Sequence, residues 1–398
     1  MIRDGNQLTL LENGGDYFPA LIAACEQARH EICLESYIFR ADHTGLQVIQ
    51  ALMAAARRGV TVRVLLDGFG SRDFSPAWHA AMRQAGVEVL FFRPEFLPWR
   101  RPMSRHRLRR MHRKLAVMDA RIAFVGGINI IDDFSGNASA PPRQDYAIQI
   151  TGPLVADVHR SALRLWRLVS WSRLGVHHGE GSWLVPHIQA MGEQRAELLV
   201  RDNLTGRRAI ENAYLRAIRG ARQEIFLANA YFLPGVRFRH ALVEAARRGV
   251  RVVLIMQGHT DHPVYRAASR ALYRYFLENG VEVFEYRPSE LHAKVAVIDG
   301  KWATVGSSNI DPLSFLLARE ANVVIHDRRF AEELLASLET LLAHGGHRIH
   351  RMSWRRIPGH VRLFSWLAYG VVRVAMGMLG VGRGWDTGRK GGKKGREA

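Results

Sequence analysis

Two histidines head the same short motif. His112, Lys114 and Asp119 form one copy; His292, Lys294 and Asp299 form the other. In each copy an apolar run separates Lys from Asp: Leu-Ala-Val-Met, then Val-Ala-Val-Ile. Both runs read as strands. Side chains alternate along a strand, so His and Lys project from one face and Asp, five residues beyond Lys, from the other. Imidazole serves as a nucleophile or as a general acid and base. Lysine is a compact point charge with three rotatable donors, which suits a phosphate. Seven residues after each Asp comes a glycine turn and then an asparagine, Gly126-Gly127-Ile128-Asn129 and Gly306-Ser307-Ser308-Asn309. Small residues there let a ligand approach the backbone. Asn129, Asn309 and Ser307 are expected to add donors for phosphoryl oxygens. Two imidazoles supply a nucleophile and an acid, and the lysines and amides offset phosphate charge. That set splits a phosphodiester without a metal or cofactor, and neither is expected. Asp119 and Asp299 are expected to hold local structure as turn acceptors.

The motifs lie in a chain built twice. Ala28–Ile32 matches Ala221–Ile225, and Ala55–Val60 matches Ala245–Val250. Gly86–Val89 matches Gly280–Val283, with Arg-Pro following in both. The order is kept throughout, so two copies of one domain are expected. Each copy alternates helix and strand patterns. The first reads as helices over 17–29, 44–58 and 77–85 with strands Ile32–Phe39, Thr61–Leu66 and Val87–Phe92. The second repeats the strands near 224–228, 251–256 and 281–286. This alternation predicts an α/β sheet flanked by helices, with ligands at the carboxyl ends of strands.

The 398 residues are 47% hydrophobic and 23% charged, which excludes wholesale disorder. Cys25 and Cys33 are the only cysteines, too few for a disulfide scaffold. No secretory signal opens the chain, so a reduced intracellular setting is expected. The net charge of +19 points to a polyanion, either nucleic acid or an anionic membrane. Arg supplies 50 of the 56 basic residues, yet Lys stands in both motifs. His177 and His178 sit in a turn-rich tract without a third ligand nearby and read as surface loop.

The motifs and their surroundings resemble the phospholipase D superfamily, and within it bacterial cardiolipin synthases of the B type, which lack N-terminal transmembrane helices. The likeness spans roughly residues 5–330 and rests on Met111–Lys114, Ile122–Gly127, Asn229–Phe232 and Trp302–Asn309. It implies two fused phospholipase D-like domains, each a mixed sheet flanked by helices, related by a pseudo-two-fold axis and sharing one active site. The divisions expected are 1–170, a linker over 171–194, 195–345, and a membrane-associating region over 346–398. The implied reaction is ping-pong phosphatidyl transfer between two phosphatidylglycerol molecules. A phosphatidyl-histidine forms, glycerol leaves, and cardiolipin results. His112 is the favoured nucleophile, although the near-symmetric repeat leaves the choice open. The resemblance also points to acids that orient the histidines: Asp145 and Glu320, 33 and 28 residues after the histidines of their own halves. Asp119 and Asp299 belong to the family signature and are often placed with its catalytic residues. A lipid hydrolase is the leading rival, and a nucleic-acid phosphodiesterase the next. The partners implied are phosphatidylglycerol and an anionic membrane surface, not nucleic acid. The implied location is peripheral, on the cytoplasmic face of the bacterial inner membrane.

Two further segments suit a membrane. The first copy carries an insert, Glu95 to Met111, that interleaves Arg100, Arg101, Arg105, Arg107, Arg109 and Arg110 with Phe96, Leu97, Trp99 and Leu108. Near the end, Leu363–Val381 is apolar but broken by Arg373. A charge at mid-bilayer is costly, so a helix lying in the interface is expected rather than a span.

Overall fold

The structure, a computed structural model, describes residues 1–93, 109–134, 141–172, 184–202, 206–258, 263–311, 314, 318–352 and 358–378. Most of the arginine-rich insert, the tract with His177 and His178, and the chain from 379 onward lie outside these residues.

The matched stretches become matched elements. The first half runs β1 (Arg3–Glu12), α1 (Asn13–Gln27), β2 (Glu31–Ser36), α2 (His43–Arg57), β3 (Thr61–Asp67), α3 (Pro76–Gln84), β4 (Glu88–Phe92), β5 (Leu115–Met118), β6 (Ile122–Gly126), β7 (Tyr146–Thr151) and α4 (Val155–Trp171). The second runs β8 (Gln194–Arg201), α5 (Ala209–Gly220), β9 (Glu224–Asn229), α6 (Val236–Arg247), β10 (Arg251–Gln257), α7 (Pro263–Arg270), α8 (Tyr273–Glu278), β11 (Glu282–Tyr286), β12 (Lys294–Ile298), β13 (Trp302–Gly306) and β14 (Glu320–Ile325). A long helix, Arg328–Gly345, the short β15 (Gly346–Arg348) and a last helix, Gly359–Met378, complete it. Gly59 and its counterpart Gly249 end α2 and α6 with positive φ, the left-handed turn a helix C-terminus uses.

All strands join one sheet. From one edge the order is β4-β3-β2-β5-β6-β7-β1, then the same order reversed, β8-β14-β13-β12-β9-β10-β11, with β15 outermost. β2, β3 and β4 are parallel because helices connect them. β5, β6, β7 and β1 are antiparallel. The halves join where β1 meets β8, at a bulge between Arg3 and Asn6. A central core draws apolar residues from both halves, among them Val158, Val125, Val305 and Leu334. Each half has a further core under its own α1–α2 or α5–α6 helices.

One expectation needs correction. His112 and Lys114 stand just ahead of β5 rather than within it, whereas β12 begins at Lys294. Met111 and its counterpart Leu291 bridge to Arg319 and Gln144 of the opposite halves, so each motif is held from outside its own hairpin. Among the described residues no helix is long and apolar enough to cross a membrane.

Candidate active site

Each motif reaches the site through a backbone bridge to the opposite half. The His112 N–H donates to the Arg319 carbonyl at 2.9 Å, and the Arg319 N–H to the Arg110 carbonyl at 2.7 Å. In the same pattern the His292 N–H donates to the Gln144 carbonyl at 2.8 Å, and the Gln144 N–H to the Glu290 carbonyl at 2.9 Å. Arg319 immediately precedes Glu320, and Gln144 immediately precedes Asp145. The bridges therefore exchange acids between the halves. His112 Nδ1 lies 3.1 Å from both Glu320 oxygens, and His292 Nδ1 lies 2.5 Å from Asp145 Oδ2. The pairing expected within each half is thus corrected: each imidazole meets the carboxylate of the other. A carboxylate only accepts, so Nδ1 carries the proton and Nε2 keeps its lone pair for chemistry.

The lysines complete one shared cluster. Lys114 Nζ donates to the His112 carbonyl at 2.9 Å, and Lys294 Nζ to the His292 carbonyl. Lys294 Nζ also lies 2.8 Å from His292 Nδ1. Both lysines are buried, which disfavours their charge, and the charge of Lys294 acts further on Lys114. Burial pushes Lys114 down to about 7 and Lys294 down to about 8. Both histidines are likewise lowered, first by burial, with Lys114 adding to it at His112 and Lys294 at His292; the effect is larger at His292. Burial thus favours neutral imidazoles and brings both lysines close to losing their charge. A bound phosphate anion reverses that balance.

The two motif aspartates do other work. Asp119 and Asp299 have φ of 51° and 52°, and Ala120 and Gly300 beside them 50° and 56°. Two consecutive positive φ values make the tight hairpin turns between β5 and β6 and between β12 and β13. The Asp119 carboxylate accepts the amides of Arg29, His30 and Glu31, and Asp299 those of Arg222, Gln223 and Glu224. Each ties its hairpin to the chain entering β2 or β9, at the far end of the strand from its lysine. They are turn acceptors, not members of the histidine–lysine cluster.

Ser307 does not face a ligand with a spare hydroxyl. It donates to Glu320 Oε2 at 2.5 Å and accepts the Ala321 amide at 3.0 Å, so it fixes the acid that fixes His112. Asn129 accepts the Ile38 amide through Oδ1 at 3.2 Å, while Asn309 Oδ1 is buried without a hydrogen-bond partner. Sequence reasoning missed several positioning residues. Asp67 accepts the Met111 amide and Gln257 accepts the Leu291 amide, each at 2.8 Å, just ahead of a motif histidine. Both end a strand before glycine at equivalent repeat positions. The Tyr37 ring packs edge-on against His112 at 4.7 Å.

Known proteins share this arrangement of sequence and fold. The profile of the family described as "Cardiolipin synthase, PLD-like domain" matches residues 21–138 and 214–342. Cardiolipin synthase B of Escherichia coli is 45% identical over 350 residues, covering 86% of this chain and 81% of that protein. Its namesake in Salmonella typhi is 41% identical over 383 residues, covering 92% and 89%. The crystal structure of a phosphatidylserine synthase from Haemophilus influenzae superposes with a TM-score of 0.68 at 15% identity, over 94% of this chain and 95% of that one, a likeness of fold. The repeat, the crossed pairs and these relatives agree: the chain belongs to the cardiolipin synthase family of phospholipase D-like enzymes.

Proposed function

We propose that this enzyme joins two phosphatidylglycerol molecules into cardiolipin and glycerol through a phosphatidyl-histidine. The observation that carries the reading is the crossed pair of carboxylate-held imidazoles, each with a buried lysine beside it. His112 attacks, its ring held at Nδ1 by both Glu320 oxygens and flanked by the Tyr37 edge. Its Nε2 forms a bond to phosphorus while the bond to the glycerol oxygen breaks, and His292, which takes up a second proton at Nε2 once the bound phosphate anion favours its charged form, gives that proton to the oxygen. His292 then removes the proton from a hydroxyl of the second lipid. That oxygen bonds to phosphorus and the bond to His112 breaks. Lys114, Lys294 and the Asn129 and Asn309 amides offset the phosphoryl charge as it builds.

The last helix supports membrane contact. Ser365, Ala368, Tyr369 and Val372 face inward, and the helix packs along α7. Leu363, Phe364, Trp366, Leu367, Val371 and Val374 are each more than half exposed. An amphipathic helix of this kind lies in an interface with its apolar side in lipid. The reading is a peripheral enzyme on an anionic bilayer.

The test is product analysis. Purified protein incubated with phosphatidylglycerol vesicles and chelator yields cardiolipin and free glycerol by mass spectrometry. Phosphatidic acid with glycerol and no cardiolipin would make water the acceptor and replace this reading with a hydrolase.

A further inference from the structure

The helix α4 has an outward face that the chemistry does not use. Its inner face buries Val158, Ala162, Leu165 and Val169. Its exposed positions are Arg160, Arg164, Arg167, Leu168 and Trp171. Spacings of three and four residues set these in one stripe along the helix. Trp171 is 86% exposed and Leu168 47%. An indole in water forgoes the burial that would stabilise it, and it suits a boundary where its ring meets lipid and its N–H meets water. Among the described residues the other exposed tryptophan is Trp366, on the last helix. The stripe also lies close to the site. Leu165, Trp166 and Val169 of α4 pack against Leu65, Leu90, Phe92 and Met111. Those residues come from the carboxyl-terminal parts of β3 and β4 and from the position just before His112. Trp171 lies two residues beyond this contact.

The repeat supplies an internal control. The Arg328–Gly345 helix follows β14 as α4 follows β7, and both helices pack into the same central core. Its outward face carries Glu332, Glu333 and Glu339 with Arg328 and Arg329, and none of its large apolar residues is exposed. Packing against the core therefore does not account for arginines beside an exposed leucine and tryptophan on α4. Arg160 is paired with Asp157 at 2.8 Å, so the argument rests on Arg164 and Arg167. Basic side chains next to Leu and Trp on one helix face match an anionic headgroup layer, with the guanidinium groups at the phosphates and the apolar groups below them.

We propose that the outward face of α4, from Arg164 to Trp171, is a second membrane-contact surface, that its partner is an anionic phospholipid bilayer, and that it seats the His112 side of the active site at the lipid surface. The inference rests on the peripheral-enzyme reading above and adds a contact separate from the last helix. To test it, Trp171→Cys in the full chain carries a polarity-sensitive fluorophore; Cys25 and Cys33 are buried, so the label goes to position 171. Phosphatidylglycerol vesicles shift its emission to the blue, and phosphatidylcholine vesicles do not. In flotation, Arg164→Gln combined with Arg167→Gln lowers affinity for phosphatidylglycerol vesicles about tenfold or more. The same loss of charge at Arg328→Gln combined with Arg329→Gln changes it less than twofold. Equal losses from the two pairs would assign the effect to net charge and overturn the proposal. A label that stays unshifted while the protein floats with the vesicles also overturns it. So does a blue shift that grows with protein concentration in the absence of lipid, which would place a second copy of the chain on this face. Wild-type protein that does not float with phosphatidylglycerol vesicles rejects the peripheral reading, and this inference with it. Floating protein with a silent label rejects the α4 surface alone.

Discussion

His292 and His112 occupy equivalent places in the repeat, yet the residues two before them are Glu290 and Arg110. The divergence continues around each ring. His112 is held by a glutamate that Ser307 buttresses; His292 is held by an aspartate, one methylene shorter. Gly127 stands where Ser307 would be. A Cβ there would lie 2.2 Å from Asp145 Oδ1, so the shorter acid needs the glycine. Tyr37 flanks His112, and its counterpart is Ala230. Beneath His112, Arg113 forks onto Glu35 at 2.7 and 2.5 Å; the matching residues are Ala293 and Ala228. The two halves share the backbone bridges and the crossed acids and differ in what surrounds each histidine.

The largest expected effect tests whether the halves share one reaction. His112→Ala and His292→Ala should each abolish turnover, since neither half holds a complete set of groups. They should differ in what accumulates. With His112 as nucleophile, His292→Ala forms a phosphatidyl adduct on His112 slowly and then holds it, seen by peptide mass spectrometry after an alkaline quench, and His112→Ala carries none. An adduct on His292 in the His112→Ala protein would exchange the two roles.

The crossing itself comes next. Glu320→Gln should impair the step that uses His112, and Asp145→Asn the step that uses His292, each by about 10²- to 10⁴-fold. A double-mutant cycle locates the coupling: Glu320→Gln should add little to His112→Ala in residual donor cleavage, and Asp145→Asn little to His292→Ala. Coupling inside each half instead would undo the crossed arrangement.

Much of this was legible in the residues. The repeat, the parallel strands after Gly59 and Gly249, and the His-x-Lys spacing all read directly, because local periodicity and turn chemistry set them. The aspartates' turn role also read directly, since five residues along a strand reverses the face. The crossed pairing did not read. It depends on Met111 and Gln144 bridging to segments more than 140 residues away, and no local pattern encodes a partner at that distance. Ser307 was misread for a related reason. Its place in a glycine turn suggests a ligand contact, but the neighbour that takes its hydroxyl arrives from β14. Arg110 and Arg319 are far apart in sequence, so their juxtaposition too belongs to the fold alone.

A smaller effect probes the electrostatics the halves share. Burial lowers Lys114 to about 7 and Lys294 to about 8, far below the ordinary lysine range. An anion favours the charged form, so binding takes up protons and weakens as pH rises through these values. Tungstate, an unreactive oxyanion, should bind at least about tenfold more weakly at pH 9 than at pH 7. Calorimetry in buffers of different ionisation enthalpy should register proton uptake at pH 8. Affinity flat from pH 7 to 9 would mean the lysines stay charged without a ligand, and burial would not be setting their state.

The smallest effect leaves the chemistry in place and asks what the buried ion pair beneath His112 contributes. Arg113 and Glu35 are 2% and 3% exposed, and Arg113 also donates to Ser161 of α4 at 2.8 Å. Desolvating both ions offsets most of their attraction, so the pair adds little net stability over an apolar filling. Removing one partner is different, because the other charge stays buried alone. Arg113→Ala should lower unfolding stability by about 3–5 kcal/mol in urea titrations. The double change to Arg113→Ala and Glu35→Ala recreates the alanines of the second half. It removes more atoms and leaves a larger cavity, yet it should be less destabilising than Arg113→Ala alone, because no unpaired carboxylate remains. If the double variant is instead the weaker of the two, packing rather than charge pairing holds this region. The second half would then owe its tolerance of alanine to the apolar side chains of the Arg328–Gly345 helix, including Phe330, Leu334 and Leu338, that fill its core.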